Sequence, residues 1–237
     1  VEAATSRSVS LASVRVALAG AMSLSPEIVE QWESFAGGLL IEGYGMTETS
    51  PIALGNPIAP TRRANSIGVP FPSTQMRVTD RDHPDRVVEQ GEPGELQVRG
   101  PQVFAGYWNR PDATAAAFEG RWLKTGDAAR MDDEGFVYIV DRWKDMYISG
   151  GENVYPAEVE NVLYQLSQVA EAAVIGVPHP RWGEAGLAVL ALKPDAEIDL
   201  QTVLEHCLTR LAKFKVPQDI AIVTALPRNA TGKVLKR

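Results

Sequence analysis

The sequence predicts a mixed α/β plus α+β protein: the end of an α/β subdomain, a small antiparallel β-barrel-like subdomain, and a separate α+β domain. Three patterns indicate this fold. Near the start, two short apolar runs flank an amphipathic segment, which is typical of a parallel strand–helix–strand unit. Short alternating runs separated by Gly, Pro and Asp fill residues 67–140, as in antiparallel sheets. After residue 156, amphipathic helical patterns alternate with apolar strands.

The α/β part is assigned to residues 1–60. Strands predicted at 14–18 and 39–41 flank one helix. Ser25-Pro26-Glu27 marks the start of that helix, because it supplies an N-cap, a proline at the first helical position and an early acid. Gly37-Gly38 marks its end. This unit is expected to be the last piece of a larger sheet.

The β subdomain is assigned to residues 61–141. Its clearest strand patterns cover 74–78, 94–99 and 135–140, each bounded by turn residues. A short helix is predicted at 113–118. We therefore expect a compact antiparallel sheet.

The final domain is assigned to residues 142–237. Helices are predicted at 156–166 and 200–211, and strands at 172–177, 185–192 and 220–223. A charged segment, Asp141 to Asp145, interrupts two β-like runs just before this domain. We place an interdomain hinge near 142–145.

Charge and composition exclude several classes of protein. The 237 residues carry a net charge of -7, which argues against binding a nucleic acid polymer through a broad basic surface. Residues 210–237 are nevertheless basic, with Asp219 as their only acid. They form either a solvated face or a binding surface.

Two familiar nucleotide-binding motifs are excluded. Gly232-Lys233 lacks the P-loop context, and Gly43-Tyr44-Gly45 lacks the third glycine of a dinucleotide fingerprint.

The cysteine and apolar content points to a soluble, cytoplasmic protein. Cys207 is the only cysteine, so no disulfide framework is available, and its place on an apolar helix face indicates a core residue. The three histidines are not at metal-ligand spacing. No run approaches the roughly 20 apolar residues that span a bilayer, so stable membrane insertion is not expected.

Polar residues at strand ends are the first candidates for chemistry. Tyr44 follows a buried strand and could stack on a base, while Thr47 could contact phosphate and Glu48 could bind a hard cation. Gly45 would let the backbone approach the ligand. Asp127, beside Gly126 at a predicted loop, could accept hydrogen bonds from ribose hydroxyls. An ordinary turn is the alternative for each segment.

The second set of candidates lies in the C-terminal domain. Arg142 and Lys144 sit in the predicted hinge, for which a solvated linker is the alternative. Residues 149–153 contain Gly150-Gly151 and allow either close backbone approach or a tight turn. Lys233 lies on a predicted flexible loop and could stabilise an anionic transition state, although a surface lysine is the common alternative.

Five blocks of sequence, taken together, resemble the adenylate-forming superfamily of acyl-CoA synthetases, luciferases and peptide-synthetase adenylation domains. In order they are GYGMTE, GEPGELQVRGPQVFAGYW, WLKTGD, DEGFVYIVDRWKDMYISGGENVYPAEVE and LPRNATGK. They span most of the chain from Gly43 to its end. Three segments are most similar in sequence to the corresponding segments of bacterial long-chain fatty acid CoA ligases: GYGMTETSP, SIGVPFPST and GPQVFAGYWNRPDAT.

The resemblance implies a role for each matching residue. Tyr44 would stack on adenine, Thr47 would contact phosphate, Glu48 would hold Mg²⁺, and Asp127 would bind the ribose hydroxyls. Lys233 would be the catalytic lysine of adenylation.

Other residues match positions that serve the nucleotide or the second step. Arg142 would support the ribose side, and Lys144 would be the hinge of a rotating lid domain. Gly150 and Gly151 would leave room for the pantetheine arm of CoA. Phe214 and Lys215 match a region that meets the CoA nucleotide in some relatives.

The implied function is an ATP-dependent acyl-CoA ligase, which activates a long-chain fatty acid as acyl-AMP and transfers it to coenzyme A. ATP, Mg²⁺ and CoA are the implied cofactor set. Alternatives are an aryl or short-chain acid ligase, an adenylation enzyme that loads a carrier protein, a luciferase-type monooxygenase, and a non-catalytic nucleotide-binding module.

Some expectations concern the whole protein. The fatty substrate makes transient, peripheral contact with a membrane an expectation. A homodimer is one option for the oligomeric state. The family's phosphate-binding loop lies upstream of Val1, so we expect the 237-residue chain alone to be inactive.

Overall fold

A computed structural model describes residues 2–7, 9–20, 24, 26–230 and 232–236. The chain divides into two compact units, Val1–Ile139 and Val140–Arg237. This division lies two residues before the boundary predicted from the sequence. No helix among the described residues has both the length and the apolar character needed to cross a membrane.

The first unit begins with a four-stranded sheet. Its elements are α1 (Glu2–Ser6), β1 (Val16–Ala19), α2 (Pro26–Ala36), β2 (Leu39–Gly45), β3 (Ile52–Gly55) and β4 (Val69–Pro70). β1 and β2 are parallel, as predicted, and β3 and β4 continue the sheet in antiparallel order. α2 ends at Gly37, which has a positive φ of 73°. The predicted N-cap, Ser25, lies outside the described residues.

A second sheet completes this unit, and its last strand continues past Ile139 into the second unit. Its elements are β5 (Gln75–Thr79), β6 (Gly94–Arg99), α3 (Pro111–Ala117), β7 (Phe118–Glu119), β8 (Trp122–Met131) and β9 (Val137–Arg142). The strand order is β5-β6-β8-β7, with β9 beside β8. The β5–β6, β6–β8 and β7–β8 pairs are antiparallel, which confirms the predicted pattern. Leu54, Leu96, Val98 and Val137 are fully buried in the core that both sheets share.

The second unit packs two helices on one five-stranded sheet. Its elements are β10 (Tyr147–Ser149), β11 (Glu152–Val154), α4 (Pro156–Leu163), β12 (Val169–His179), β13 (Gly183–Leu192), α5 (Leu200–Leu208) and β14 (Asp219–Val223). The order is β11-β10-β13-β12, and β14 runs parallel to β13. Val159 and Leu163 of α4 meet Val203 of α5 in the core. The mixed α/β and α+β fold class is therefore confirmed.

Cys207 belongs to that core, as its sequence pattern predicted. It is fully buried, and the burial raises the pKa of its thiol to about 11. A thiol with a raised pKa is a poor nucleophile at neutral pH. Cys207 is therefore a packing residue.

The basic C-terminal segment is more than a solvated face. Three of its basic side chains form ion pairs with acids of the second unit. The pairs are Lys215 with Glu158, Arg228 with Glu171, and Lys236 with Glu160. These contacts tie the end of the chain to α4 and β12.

Candidate functional site

The first part of the site lies at the end of β2. We expected Tyr44 and Gly45 to follow the strand, but β2 extends through Gly45. A Cβ on Gly45 would lie 1.7 Å from the Pro51 carbonyl oxygen, so only glycine fits there. The chain itself therefore approaches Gly45 closely on this side, and the approach of a ligand to the Gly45 backbone stays a prediction.

Tyr44 and Asp127 are brought together from positions 83 residues apart. The Tyr44 hydroxyl donates a hydrogen bond of 2.5 Å to Oδ2 of Asp127. Asp127 is only 5% exposed. A carboxylate can accept several hydrogen bonds, and the hydroxyls of a ribose are suitable donors.

Asp127 lies inside β8 and not in a loop, which corrects the sequence prediction. The pairing of β8 with β6 is irregular here: Lys124 faces Gln97 and Ala128 faces Glu95, so residues 125–127 lie opposite Leu96 alone. Such a bulge turns side chains out of the regular alternation, and bulges are common beside functional sites. Gly126, with φ of 74°, makes this backbone possible.

Thr125 stabilises the bulge from within. Its hydroxyl donates to the Leu96 carbonyl oxygen at 2.7 Å and accepts the Asp127 amide at 3.2 Å. Thr125 thus holds the backbone of Asp127, and Tyr44 contacts its carboxylate. Preorganised acceptors of this kind need little rearrangement when a ligand arrives.

Thr47 and Glu48 begin one residue beyond the end of β2, in a 3-10 turn from Thr47 to Thr49. The Thr47 side chain is exposed, while Glu48 is half-buried. Oε1 of Glu48 accepts a hydrogen bond of 2.8 Å from the Tyr107 hydroxyl, and the Glu48 carbonyl accepts the Phe104 amide at 2.9 Å. The hydrogen bond to Glu48 raises the pKa of Tyr107. Glu48 is therefore held in place from two sides.

Glu48 is suited to Mg²⁺ bound together with a nucleotide. Among the described residues no group of three or more Asp, Glu, His or Cys could form an all-protein metal site. Mg²⁺ is usually held by one or two carboxylates together with substrate phosphates and water. A carboxylate has about four lone-pair sites, so the bond from Tyr107 leaves Glu48 able to bind a cation.

Tyr107 and Phe104 were not singled out by the sequence reasoning. Their rings meet edge to face with centroids 4.9 Å apart. Both belong to the FAGYW segment of the second sequence block, so the block itself was a signal. The hydrogen bond between Tyr107 and Glu48 joins residues that are 59 positions apart in the sequence, so no local pattern predicts it.

The second unit contains the remaining predicted residues. Lys233 is exposed, and its turn is hydrogen-bonded where we predicted a flexible loop. The Lys233 amide donates to Oδ1 of Asn229, and the Asn229 amide donates to the Lys233 carbonyl, each at 2.9 Å. Gly232 precedes Lys233 with φ of 85°. Thr231 lies outside the described residues.

Gly150 and Gly151 form the turn between β10 and β11, with φ of 61° and 91°. A Cβ on Gly150 would approach the Trp182 ring to 3.0 Å, and the Gly150 amide donates to the Trp182 carbonyl at 2.9 Å. Trp182 was not singled out from the sequence. Its ring lies beneath a turn that only glycines adopt easily, so it supports the turn from one side.

The predicted hinge begins at Arg142, the last residue of β9, and continues toward β10. The amides of Asp145 and Met146 both donate to the Arg142 carbonyl, so this segment is a hydrogen-bonded turn. Lys144, in the middle of the turn, is exposed. A short turn with an exposed centre is compatible with a hinge.

Phe214 and Lys215 lie in a 3-10 turn from Lys213 to Lys215. The Lys215 ammonium contacts both carboxylate oxygens of Glu158 at 2.7 Å and lies 5.6 Å from the Phe214 ring centroid. A phosphate of CoA would therefore have to compete with Glu158 for this lysine. The predicted CoA contact at Lys215 remains a prediction.

Comparison with known proteins identifies similar chains for both units. A family model described as AMP-binding enzyme matches residues 2–108, and a model of the AMP-binding enzyme C-terminal domain matches residues 158–233. A long-chain-fatty-acid–CoA ligase from Yersinia pestis is 46% identical over 224 residues, which is 94% of this chain and 39% of the relative. A feruloyl-CoA synthase from an Amycolatopsis species is 42% identical over 97% of this chain and 46% of the relative.

Among solved structures, o-succinylbenzoate coenzyme A synthetase from Bacillus subtilis, in complex with ATP and magnesium ion, superposes with a TM-score of 0.84. It is 35% identical, and the match covers 99% of this chain and 52% of that structure. The chain thus spans about two fifths to one half of the length of the proteins it matches.

Proposed function

Because the chain belongs to the AMP-binding enzyme family, we propose that the enzyme carrying it is an ATP-dependent acyl-CoA ligase. The observation that carries this proposal is the hydrogen bond between Tyr44 and Asp127, which sets an aromatic ring beside a buried carboxylate. A ring and a carboxylate in contact can bind the base and the ribose of one nucleotide. Thr47 and Glu48, on the same chain segment, supply the groups for its phosphates and Mg²⁺.

In the first step, a carboxylate oxygen of the acid attacks the α-phosphorus of ATP. A new O–P bond forms, the bond to the β-phosphate breaks, and pyrophosphate leaves with its electron pair. Two anions approach each other in this step, so positive charge is required. Mg²⁺ would neutralise phosphate charge, and the Lys233 ammonium would bridge the carboxylate and the α-phosphate.

In the second step, the CoA thiol gives its proton to solvent, and the sulfur attacks the acyl carbon. The C–S bond forms, and AMP leaves with the electrons of the C–O bond. The Gly150-Gly151 turn offers a narrow backbone surface to the pantetheine arm. Arg142 would support the ribose side. Between the two steps, a rotation near Lys144 would withdraw Lys233 from the active site and bring the Gly150-Gly151 turn toward it.

The substrate class is the finer part of the proposal. Similarity to a long-chain fatty acid ligase favours fatty acids, whereas similarity to a feruloyl-CoA synthase favours an aryl acid as the second candidate. We expect long-chain fatty acids to give the highest kcat/KM. One extra methylene in an apolar pocket changes kcat/KM by about 10-fold or more.

The test is AMP formation by the enzyme carrying this chain, with ATP, Mg²⁺ and CoA and a panel of acids from acetate to oleate together with ferulate and benzoate. The expected result is a steep rise in kcat/KM with chain length. A preference for ferulate would replace the fatty substrate with an aryl one. The formation of no AMP with any acid would contradict the ligase function itself.

A further inference from the structure

Two acidic side chains of the second unit hold the stem of the turn that carries Lys233, that is, residues 226–228 before the turn and 234–236 after it. Glu171 lies on β12 and contacts the stem of the turn on its N-terminal side. Glu160 lies on α4 and contacts the stem three residues after Lys233, through Lys236. Neither acid was a candidate from the sequence, and neither belongs to the nucleotide site described above.

Glu171 contacts two consecutive parts of the stem. Its Oε2 accepts the Leu226 amide at 3.3 Å, and its Oε1 forms an ion pair with Arg228. The Arg228 guanidinium also donates to the Gly232 carbonyl at 2.7 Å. Arg228 therefore links a strand of the sheet to the peptide that joins Gly232 to Lys233.

Glu160 anchors the other side of the stem. Its Oε1 accepts the Val174 amide of β12 and contacts the Lys236 ammonium, each at 2.7 Å. The side chains of Glu160 and Lys236 are only 15% and 18% exposed. An ion pair this shielded from water is screened less than a surface pair.

A fixed stem matters because lysine is a long, flexible side chain. The four-carbon chain of Lys233 lets its ammonium reach many positions, and a fixed backbone restricts that range. A displacement of about 1 Å in a reacting group can cost on the order of a hundredfold in rate. Because Lys233 is exposed, its backbone position is fixed by the stem contacts rather than by core packing.

From these contacts we infer that Glu171, acting through Arg228, is a positioning residue for Lys233 in the adenylation step, with Glu160 and Lys236 as the second anchor. This inference rests on the proposed ligase function. It assigns no contact between Glu171 and the substrates. It requires that weakening the anchor impairs the step that uses Lys233 and spares the step that does not.

The test compares the two half-reactions in the enzyme carrying this chain. Glu171→Gln keeps the side-chain volume and an acceptor for the Leu226 amide but removes the charge that holds Arg228. We expect kcat for pyrophosphate release to fall about tenfold, with the KM for ATP unchanged. Thioester formation from supplied acyl-adenylate and CoA should stay within about twofold of wild type, because Lys233 is not used there.

Two further variants make the result decisive. Arg228→Gln breaks the same pair from an exposed position, so it should fold normally and reproduce the selective loss. Glu205→Gln removes an exposed carboxylate of α5 that contacts Gln201 and should leave both half-reactions unchanged. Equal losses in both half-reactions, or unchanged adenylation in both anchor variants, would overturn the inference while leaving the ligase function standing. A wild-type enzyme that releases no pyrophosphate overturns both.

Discussion

Lys233→Ala is expected to reduce adenylation by a factor on the order of a hundred or more, since the variant removes a cation aimed at charge that develops in the transition state. The loss should appear in kcat for acid-dependent pyrophosphate release. Thioester formation from supplied acyl-adenylate should change by less than about threefold, because the second step is proposed to proceed with Lys233 withdrawn. The two half-reactions, measured separately, check this.

Lys233→Arg is the matched control for charge. It keeps a cation at the same backbone position but replaces a compact ammonium with a planar fork, so only partial activity should return. If Lys233→Ala lost both half-reactions equally, the lysine would have a general structural role. If it retained full adenylation, the assignment of Lys233 would be wrong.

Asp127→Asn is expected to raise the KM for ATP about 10- to 100-fold, because a charge-assisted hydrogen bond to a ribose hydroxyl becomes a neutral one in a buried site. Asp127 is almost fully buried, so water replaces the lost contact poorly. Tyr44→Phe removes only the hydroxyl that donates to Asp127. It reports how much of the effect comes from orienting the carboxylate.

A cycle that combines Asp127→Asn with 2′-deoxy-ATP tests whether Asp127 contacts the 2′-hydroxyl of the ribose. The wild-type enzyme should discriminate against 2′-deoxy-ATP, and Asp127→Asn should lose most of that discrimination, since the hydroxyl and the carboxylate interact with each other. Equal discrimination in both proteins would show that Asp127 does not contact the 2′-hydroxyl. KM values for the two nucleotides provide the measurement.

Local patterns in the sequence predicted the elements of this fold well. The parallel pair β1–β2, the antiparallel second sheet and the two helices of the second unit all follow from apolar periodicity and turn residues. These signals are local, so they are visible within windows of about 10 to 20 residues. The family resemblance added the proposed roles of Tyr44, Glu48, Asp127 and Lys233, which periodicity could not assign.

The features that the sequence did not predict depend on contacts between residues that are far apart in the chain. The bulge that places Asp127 inside β8 arises because three residues face Leu96 of another strand, and the pattern of β8 alone looks like a loop. The contact of Tyr107 with Glu48 joins the loop before α3 to the 3-10 turn after β2, two segments that are far apart in the chain. The stem of the Lys233 turn is ordered by Glu171, more than 50 residues earlier. Local composition made that turn look flexible.

The measurement that tests the central claim most directly follows the oxygen atoms of the acid. A fatty acid labelled with ¹⁸O in both carboxylate oxygens is converted by the enzyme carrying this chain with ATP, Mg²⁺ and CoA, and the AMP is analysed by mass spectrometry. Attack of the carboxylate on the α-phosphorus predicts one ¹⁸O in each AMP and none in pyrophosphate. AMP without label would contradict an acyl-adenylate intermediate and, with it, the roles proposed for Asp127, Glu48 and Lys233.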